Sequence, residues 1–95
     1  MIKSFADKET EKIYSRRISR KLPQNIQRKG RMKLEIIDAA DMLQDLTIPP
    51  GNQLGKLSGD RKGQHSIRIN KQWSVCFIWR SGDAYEVEIV DYHKG

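Results

Sequence analysis

The sequence predicts an α+β fold in which two N-terminal helices pack on an antiparallel β-sheet. Two observations predict it. Apolar residues recur at helical spacing, every three or four positions, through about residue 46. Beyond Pro49 and Pro50 they alternate with polar residues in three short runs separated by turn residues. A chain of 95 residues has room for one modest core, so we expect a single domain over residues 1–95.

The N-terminal half is predicted to hold one short strand and two helices. The segment "MIKSF" is short enough for a first strand, and "ADKETEKIYS" is typical of a helix capped by Ser4 or Asp7. A second helix is expected to begin at Pro23, to run to about Leu46 and to be stopped by the two prolines that follow. Its apolar stripe consists of Ile26, Gly30, Leu34, Ile37, Ala40 and Leu43.

Three strands are predicted in the second half: "HSIRIN", "WSVCFIW" and "AYEVEIVDYH". The short links "KQ" and "RSGD" join them, and Gly82 permits a positive φ in the second link. Two tight turns make the strands an antiparallel meander with one face covered by the helices. In the third strand Tyr85, Val87 and Ile89 alternate with Glu86, Glu88 and Val90. The apolar residues expected to pack on the helices are Ile67, Ile69, Trp73, Val75, Phe77 and Trp79.

Charge and composition limit the class of protein. The net charge is +6, but residues 1–33 carry +8 and residues 34–95 carry −2. A basic N-terminal third is the footprint expected for a phosphate backbone, and solvated helix faces are the alternative. No apolar stretch is long enough to span a membrane, and the first residues lack the apolar segment of a signal peptide. The single cysteine, Cys76, fits a reducing compartment, so we expect a cytoplasmic protein with no membrane partner.

The uncovered face of the sheet is a candidate surface for RNA. It carries Arg68, Asn70 and Ser74, and Arg61, Lys62 and Lys71 lie in the adjoining turns. A sheet with one dry face and one cationic face is suited to an RNA backbone. An ordinary solvated face is the alternative.

The C-terminal Asp91-Tyr92-His93 is the candidate for catalysis. Histidine titrates near neutral pH and can therefore act as acid or base, and an adjacent carboxylate can orient it or keep it protonated. The alternative is a strand end with a surface histidine.

Other candidates are weaker. His65 is better explained as a turn or edge residue, and nothing in the sequence lowers the pKa of Cys76 in mid-strand. Glu86 and Glu88 form a possible carboxylate dyad but are more typical of a solvent-facing strand edge. One cysteine and two histidines cannot supply a four-ligand zinc site, and there is no phosphate-binding glycine motif.

Taken in order, five segments resemble the HigB-like toxins of the RelE superfamily, the killer proteins of bacterial type II toxin–antitoxin modules. The segments are "MIKSF", "LQDLTIPPGNQL", "LSGDRKGQHSIRIN", "QWSVCFIW" and "GDAYEVEIVDYH". The resemblance covers nearly the whole chain. It implies a RelE-like microbial ribonuclease fold and a ribosome-dependent mRNA endoribonuclease that inhibits translation. It also implies that the reaction uses no metal and no cofactor.

The resemblance also implies roles for individual residues. The family's acid–aromatic–histidine ending contributes to the active site and aligns with Asp91, Tyr92 and His93. By this resemblance His93 transfers protons, Asp91 orients it or accepts a proton, and Tyr92 stacks or donates a hydrogen bond. The residues expected to bind RNA are Arg61, Lys62, Arg68, Lys71 and Ser74.

The sequence departs from the family pattern at three positions. Gly55 and Ser58 stand where some relatives carry His and Lys, and Ser74 stands where most carry Arg. The alternative function is therefore a catalytically weak or inactive RNA- and ribosome-binding module that acts mainly as partner and corepressor of its antitoxin. In both cases the resemblance implies a cognate helix-turn-helix antitoxin (HigA-like), and operator DNA contacted only through that antitoxin.

Overall fold

The computed structural model describes residues 1–91, which form a four-stranded antiparallel sheet with two helices packed on one face. The helices are α1 (Lys8–Tyr14) and α2 (Gln24–Ala39). The strands are β1 (Gly55–Lys56), β2 (His65–Arg68), β3 (Trp73–Arg80) and β4 (Asp83–Asp91), adjacent in that order. Three 3₁₀ turns lie in the connections: Leu43–Thr47, Pro50–Asn52 and Gly59–Arg61. The predicted α+β architecture is confirmed. Within residues 1–91, no helix is long and apolar enough to cross a membrane.

Helix α1 begins at the second of the two predicted caps, Asp7, whose Oδ1 accepts a hydrogen bond from the Thr10 amide at 3.3 Å. The connection to α2 is held by side chains. The Ser19 hydroxyl donates to Glu9 Oε1 at 2.6 Å, and this bond lowers the pKa of Glu9 despite partial desolvation. The Gln27 amide group bonds the backbone of Ser19 and of Leu22 at 2.8–3.1 Å. These bonds fix the loop against the start of α2.

Helix α2 ends seven residues earlier than predicted, at Ala39 instead of about Leu46. The Asp45 carboxylate explains the early end, because its Oδ2 accepts from the amides of Asp41 and Met42 at 3.1 and 3.0 Å. Those bonds favour a separate 3₁₀ turn over continued α-helix. Leu46 is still fully buried, so the apolar stripe reaches the core although the helix does not continue.

The predicted first strand is not a regular strand. Ile2 and Phe5 form two isolated parallel bridges to Ala84 and Val87 of β4. Between these bridges Glu86 adopts φ 53° and bulges out of β4, where its amide donates to Ser4 Oγ at 2.9 Å. A bulge removes the regular ladder that a continuous strand needs.

The sheet differs from the sequence prediction in two further places. Strand β1 was not predicted, because two residues carry no detectable alternation. Strand β2 ends at Arg68 and not at Asn70. The Asn70 Oδ1 accepts from the amides of Gln72 and Trp73, both at 2.8 Å, and so closes the turn to β3.

The core lies between α2 and the sheet. Ile26, Leu34 and Ile37 of the predicted stripe are buried with the sheet residues Val75 and Phe77. Ile67 and Ile69 are buried as well, and the tryptophans Trp73 and Trp79 pack at the periphery, so the predicted face of the sheet is confirmed.

Candidate active-site cleft

The face of the sheet that the helices leave uncovered forms an open cleft of about 940 Å³. Its floor consists of small side chains on adjacent strands: Ser66 of β2 and Ser74 and Cys76 of β3. They lie on this face because side chains alternate along a strand, and their neighbours Ile67 and Val75 are buried in the core. The walls are formed by residues 57–61, Gln64, Val90 and Asp91.

Arg61 is the one cationic side chain that the described residues contribute to the cleft lining. It closes the 3₁₀ turn Gly59–Arg61, and Gly59 permits the turn by adopting φ 64°. Its Nη1 donates to Gln64 Oε1 and to Glu88 Oε1, each at 3.2 Å. Arg61 and Glu88 are about one-third exposed, at 34% and 32%, so this ion pair is partly shielded from water.

Asp91 also lines the cleft, at the end of β4, where it is paired in register with Trp73. Its Oδ2 accepts a hydrogen bond from Gln72 Nε2 at 2.9 Å. Tyr92 and His93, the other two residues of the predicted catalytic ending, lie outside the described residues. The three catalytic assignments therefore stay predictions, with Asp91 lining the cleft.

Ser74 and Cys76 determine the chemistry of the floor. Ser74 is 1% exposed, and its Oγ has no hydrogen-bond partner within residues 1–91. Burial raises the pKa of the Cys76 thiol, Arg61 lowers it and Glu88 raises it. Because a thiolate is disfavoured there, Cys76 is not suited to act as a nucleophile. This hydroxyl can form a hydrogen bond with a polar group that enters the cleft.

The remaining residues predicted to bind RNA lie around the cleft and not in its lining. Arg68 ends β2 and is paired in register with Ser74. Lys62 and Lys71 are exposed in the turns before β2 and before β3. The lining itself carries Asp60 and Asp91 beside Arg61, so the charge within the cleft is mixed.

His65 is not the turn or edge residue that the sequence favoured. It begins β2, an inner strand, and its ring stacks on Phe77 with centroids 6.2 Å apart. Neither ring nitrogen has a hydrogen-bond partner among the described residues. Burial, and secondarily Lys56, lowers the pKa of this histidine. The neutral ring therefore acts as an apolar packing group.

Two contributors to the cleft were missed by sequence reasoning. Gln64 lies in a turn segment and carried no signal, and Glu88 was paired with Glu86 as a possible dyad. The bulge separates the two glutamates, since Glu86 contacts Ser4 Oγ at 3.4 Å while Glu88 contacts Arg61. A dyad of these two residues is therefore wrong.

A second, smaller pocket of about 270 Å³ lies on the helical layer. It is formed where the α1–α2 connection meets the first turns of α2, and no acidic side chain lines it within residues 1–91. Its lining residues are Ile13, Arg16, Arg17, Ile18, Gln24, Gln27, Arg28 and Arg31. We call it the arginine pocket.

Comparison with known proteins decides the family. The family described as HigB-like toxin, the RelE-like toxin of the type II toxin–antitoxin system HigB, matches residues 3–93. The chain belongs to this family. Toxin HigB-1 of Vibrio cholerae is 42% identical over 95 residues, with 99% of each chain covered. Endoribonuclease HigB of Proteus vulgaris is 31% identical over 93 residues, covering 98% of this chain and all of the relative.

Solved structures agree on the fold. A mutant form of YafQ from E. coli superimposes with a TM-score of 0.60 at 10% identity, covering 99% of this chain and 97% of that one. YafQ from E. coli strain BL21(DE3) gives 0.57 at 14% identity with the same coverage. The predicted membership of the HigB-like toxins is confirmed, and the relatives support the predicted activity of a toxin–antitoxin endoribonuclease. A toxin of this family implies a cognate antitoxin as partner.

Proposed function

We propose that this chain is a metal-independent endoribonuclease that cleaves messenger RNA on the ribosome and so arrests translation. The observation that carries the proposal is the cleft: Asp91, at the end of β4, and the Arg61 guanidinium both line it, and its floor carries the hydroxyl groups of Ser66 and Ser74. The family and the relative named an endoribonuclease support it.

The reaction class defines what the cleft must supply. The ribose 2′-oxygen forms a bond to phosphorus, the bond from phosphorus to the 5′-oxygen breaks, and a 2′,3′-cyclic phosphate results. A base takes the 2′-OH proton, an acid gives a proton to the 5′-oxygen, and donors stabilise the added negative charge on the phosphoryl oxygens.

Four residues are assigned to these tasks in the proposal. His93 transfers protons, Asp91 orients it or accepts a proton, and Tyr92 stacks on a base or donates a hydrogen bond. Arg61 stabilises the charge on the phosphate. The position of Asp91 on the cleft wall supports this assignment, because the two residues after it in sequence are the remaining members of the set.

The arginine pocket supports docking on ribosomal RNA. Clustered guanidinium groups bind phosphates in a way that requires no base-specific contact. One of the four, Arg16, also forms an exposed ion pair with Glu35 at 3.7 Å. The pocket lies on the helical layer, on the far side of the sheet from the cleft, so docking there leaves the cleft open. The charge reversal Arg28→Glu is expected to weaken ribosome binding by about tenfold or more at low salt. Lys29→Glu is the matched control, since Lys29 is exposed on the same helix but does not line the pocket.

The partner is proposed to be a HigA-like helix-turn-helix antitoxin that neutralises the toxin and binds the operator, with the toxin as corepressor. The chain would then contact DNA only through the antitoxin. Action on ribosomes places the protein in the cytoplasm.

Cleavage of a defined mRNA with and without programmed ribosomes tests the proposal. Wild type should give discrete cuts on the ribosome, and His93→Gln and Asp91→Asn should each reduce them at least about 100-fold. Full activity in both variants would overturn the assignment of the active site.

A second candidate function has one observation in its favour. Ser74 supplies no charge to the floor, and Arg61 is the only cation that the described residues add to the cleft lining. In this reading the chain binds RNA and its antitoxin without cutting. Primer extension on cellular mRNA after induction separates the two, because growth arrest without discrete cuts means binding alone.

A further inference from the structure

The Arg61 side chain is held from two directions. Gln64 lies three residues along the chain, and Glu88 lies on β4, and both side chains accept from the same nitrogen, Nη1. An Nη1 group carries two hydrogens, so these two bonds use both of them. Within residues 1–91 the three remaining N–H groups of Arg61, on Nη2 and Nε, make no hydrogen bond.

The unused edge of the guanidinium suits a phosphate. Nε and Nη2 lie side by side in the plane of the group and donate in parallel, which is the geometry for bidentate binding of phosphate oxygens. Arg61 lines the cleft, so a phosphate that enters the cleft can approach this edge.

The strand register shows where the Arg61 guanidinium lies relative to the floor of the cleft. Glu88 is paired with Cys76, and Cys76 is paired with Ser66, so these three residues form one row across the sheet. Ser74 is paired with Val90 in the next row on the same face, about 7 Å away. An arginine anchored over the first row can therefore share a phosphate with the Ser74 hydroxyl in the second.

We infer that Glu88 and Gln64 are positioning residues that hold Arg61 with its Nε–Nη2 edge toward the substrate phosphate, which it shares with the Ser74 hydroxyl. The inference rests on the proposed function and names the parts of the cleft that bind phosphate. Glu88 does not touch the substrate and acts through Arg61.

A role in stability alone does not explain the pair. Partly exposed ion pairs contribute little to the free energy of unfolding. Positioning has a larger effect on the reaction, because a displacement of about 1 Å at a reacting group reduces the rate by up to about 100-fold.

Cleavage rates on programmed ribosomes test the inference. Arg61→Ala is expected to reduce the rate by about 100-fold and Glu88→Ala by about tenfold. Glu88→Gln keeps an acceptor oxygen for Nη1 and is expected to lose no more than about threefold. Glu86→Ala is the matched control, since Glu86 lies two residues away on the bulge and contacts Ser4 instead of Arg61.

Two further measurements distinguish positioning from general damage. In the Arg61→Ala background, Glu88→Ala should have no additional effect, and Ser74→Arg should restore at least about tenfold of the lost rate. Independent losses in the double variant, or failure of Ser74→Arg to restore any rate, would overturn the inference.

The outcome remains interpretable if the wild-type protein does not cut. Binding of a short RNA with a 2′-deoxyribose at the cleavage position requires no catalysis, and Glu88→Ala should weaken it by several-fold relative to Glu86→Ala. If the wild type makes no cuts but the two variants differ in binding, the proposed function is rejected and the positioning role of Glu88 is supported. Equal binding by the two variants rejects the positioning even when wild type is active.

Discussion

The clamp between Lys33 and Asn52 gives a stability prediction that can be worked from the structure. Asn52 is fully buried and Lys33 is 7% exposed, and the Lys33 ammonium donates to Asn52 Oδ1. The Asn52 amide in turn donates to the carbonyl oxygens of Leu46 and Ile48 at 3.1 and 3.2 Å. This single side chain therefore ties α2 to the two 3₁₀ turns that precede β1.

Asn52→Ala removes all three bonds. One is charge-assisted, worth about 1.5–3 kcal/mol, and the other two are neutral, worth about 1 kcal/mol each. The bond to Ile48 is only partly buried, so water can replace part of it. We expect the free energy of unfolding to fall by about 3–4 kcal/mol, which corresponds to a decrease in Tm of roughly 15–25 °C for a domain of this size.

Thermal and urea unfolding measure this loss, and a double variant tests its origin. Burial lowers the pKa of Lys33, and Lys29 lowers it further, so an ammonium left without Asn52 is costly to keep charged. Lys33→Met combined with Asn52→Leu should therefore cost less than Asn52→Leu alone. A loss below about 1 kcal/mol for Asn52→Ala, or additive losses in the double variant, would refute the reasoning.

Three further predictions concern the floor, the helix and the buried imidazole. Ser74→Arg should raise the cleavage rate by about 30-fold or more over Ser74→Met, since one strong donor to the phosphate is worth about 2–4 kcal/mol. Equal growth arrest on induction of the two variants would count against this prediction. Gly30→Ala should stabilise α2 by about 0.5–1 kcal/mol in urea unfolding, because glycine loses more backbone entropy than alanine in a helix. The added Cβ meets the methyl groups of Ile89 and Ile69 at 3.4 and 3.5 Å. A loss of stability would show that these methyl groups cannot yield. The lowered pKa of His65 means that the unfolded chain binds a proton first as pH falls below the ordinary value of 6.5. Stability attributable to the neutral ring is thus present above that pH and is lost below it, and unfolding at about pH 7.5 and about pH 5.5 should show a smaller pH dependence in His65→Phe.

Much of the fold follows from periodicity. The stripe from Ile26 to Ile37 identifies the buried face of α2, and alternation along β3 separates the core residue Val75 from the cleft residue Ser74. Such patterns depend only on which residues are apolar, so they can be identified directly from the sequence.

The parts that were not predictable depend on single side-chain contacts. Asp45 ends α2 early by binding two amides, and Asn70 ends β2 by the same means. The contact between Arg61 and Glu88 joins residues 27 positions apart, and no local pattern connects them. Contacts of this kind are set by the assembled fold. The sequence therefore predicts the strands that form the floor of the cleft but not the contacts that form its walls.

The bulge at Glu86 affects both the alternation along β4 and the contact between Arg61 and Glu88. Strict alternation along β4 would place Ala84, Glu86 and Glu88 on one face. The extra residue in the bulge shifts the alternation of side chains by one position. Ala84 and Ile89 are therefore both buried in the core, although they are an odd number of residues apart. Glu88 consequently faces the cleft beside Cys76, where it can hold Arg61.

The same strand carries Asp91 three residues further, where it lines the cleft. One register therefore determines the position of Asp91 directly and of Arg61 through Glu88. It follows that a change in the pairing of β4 displaces both groups together, whereas a change at Glu88 displaces the cation alone. If the proposed roles of the C-terminal residues hold, variants of Glu88 should reduce the cleavage rate and leave its pH dependence unchanged.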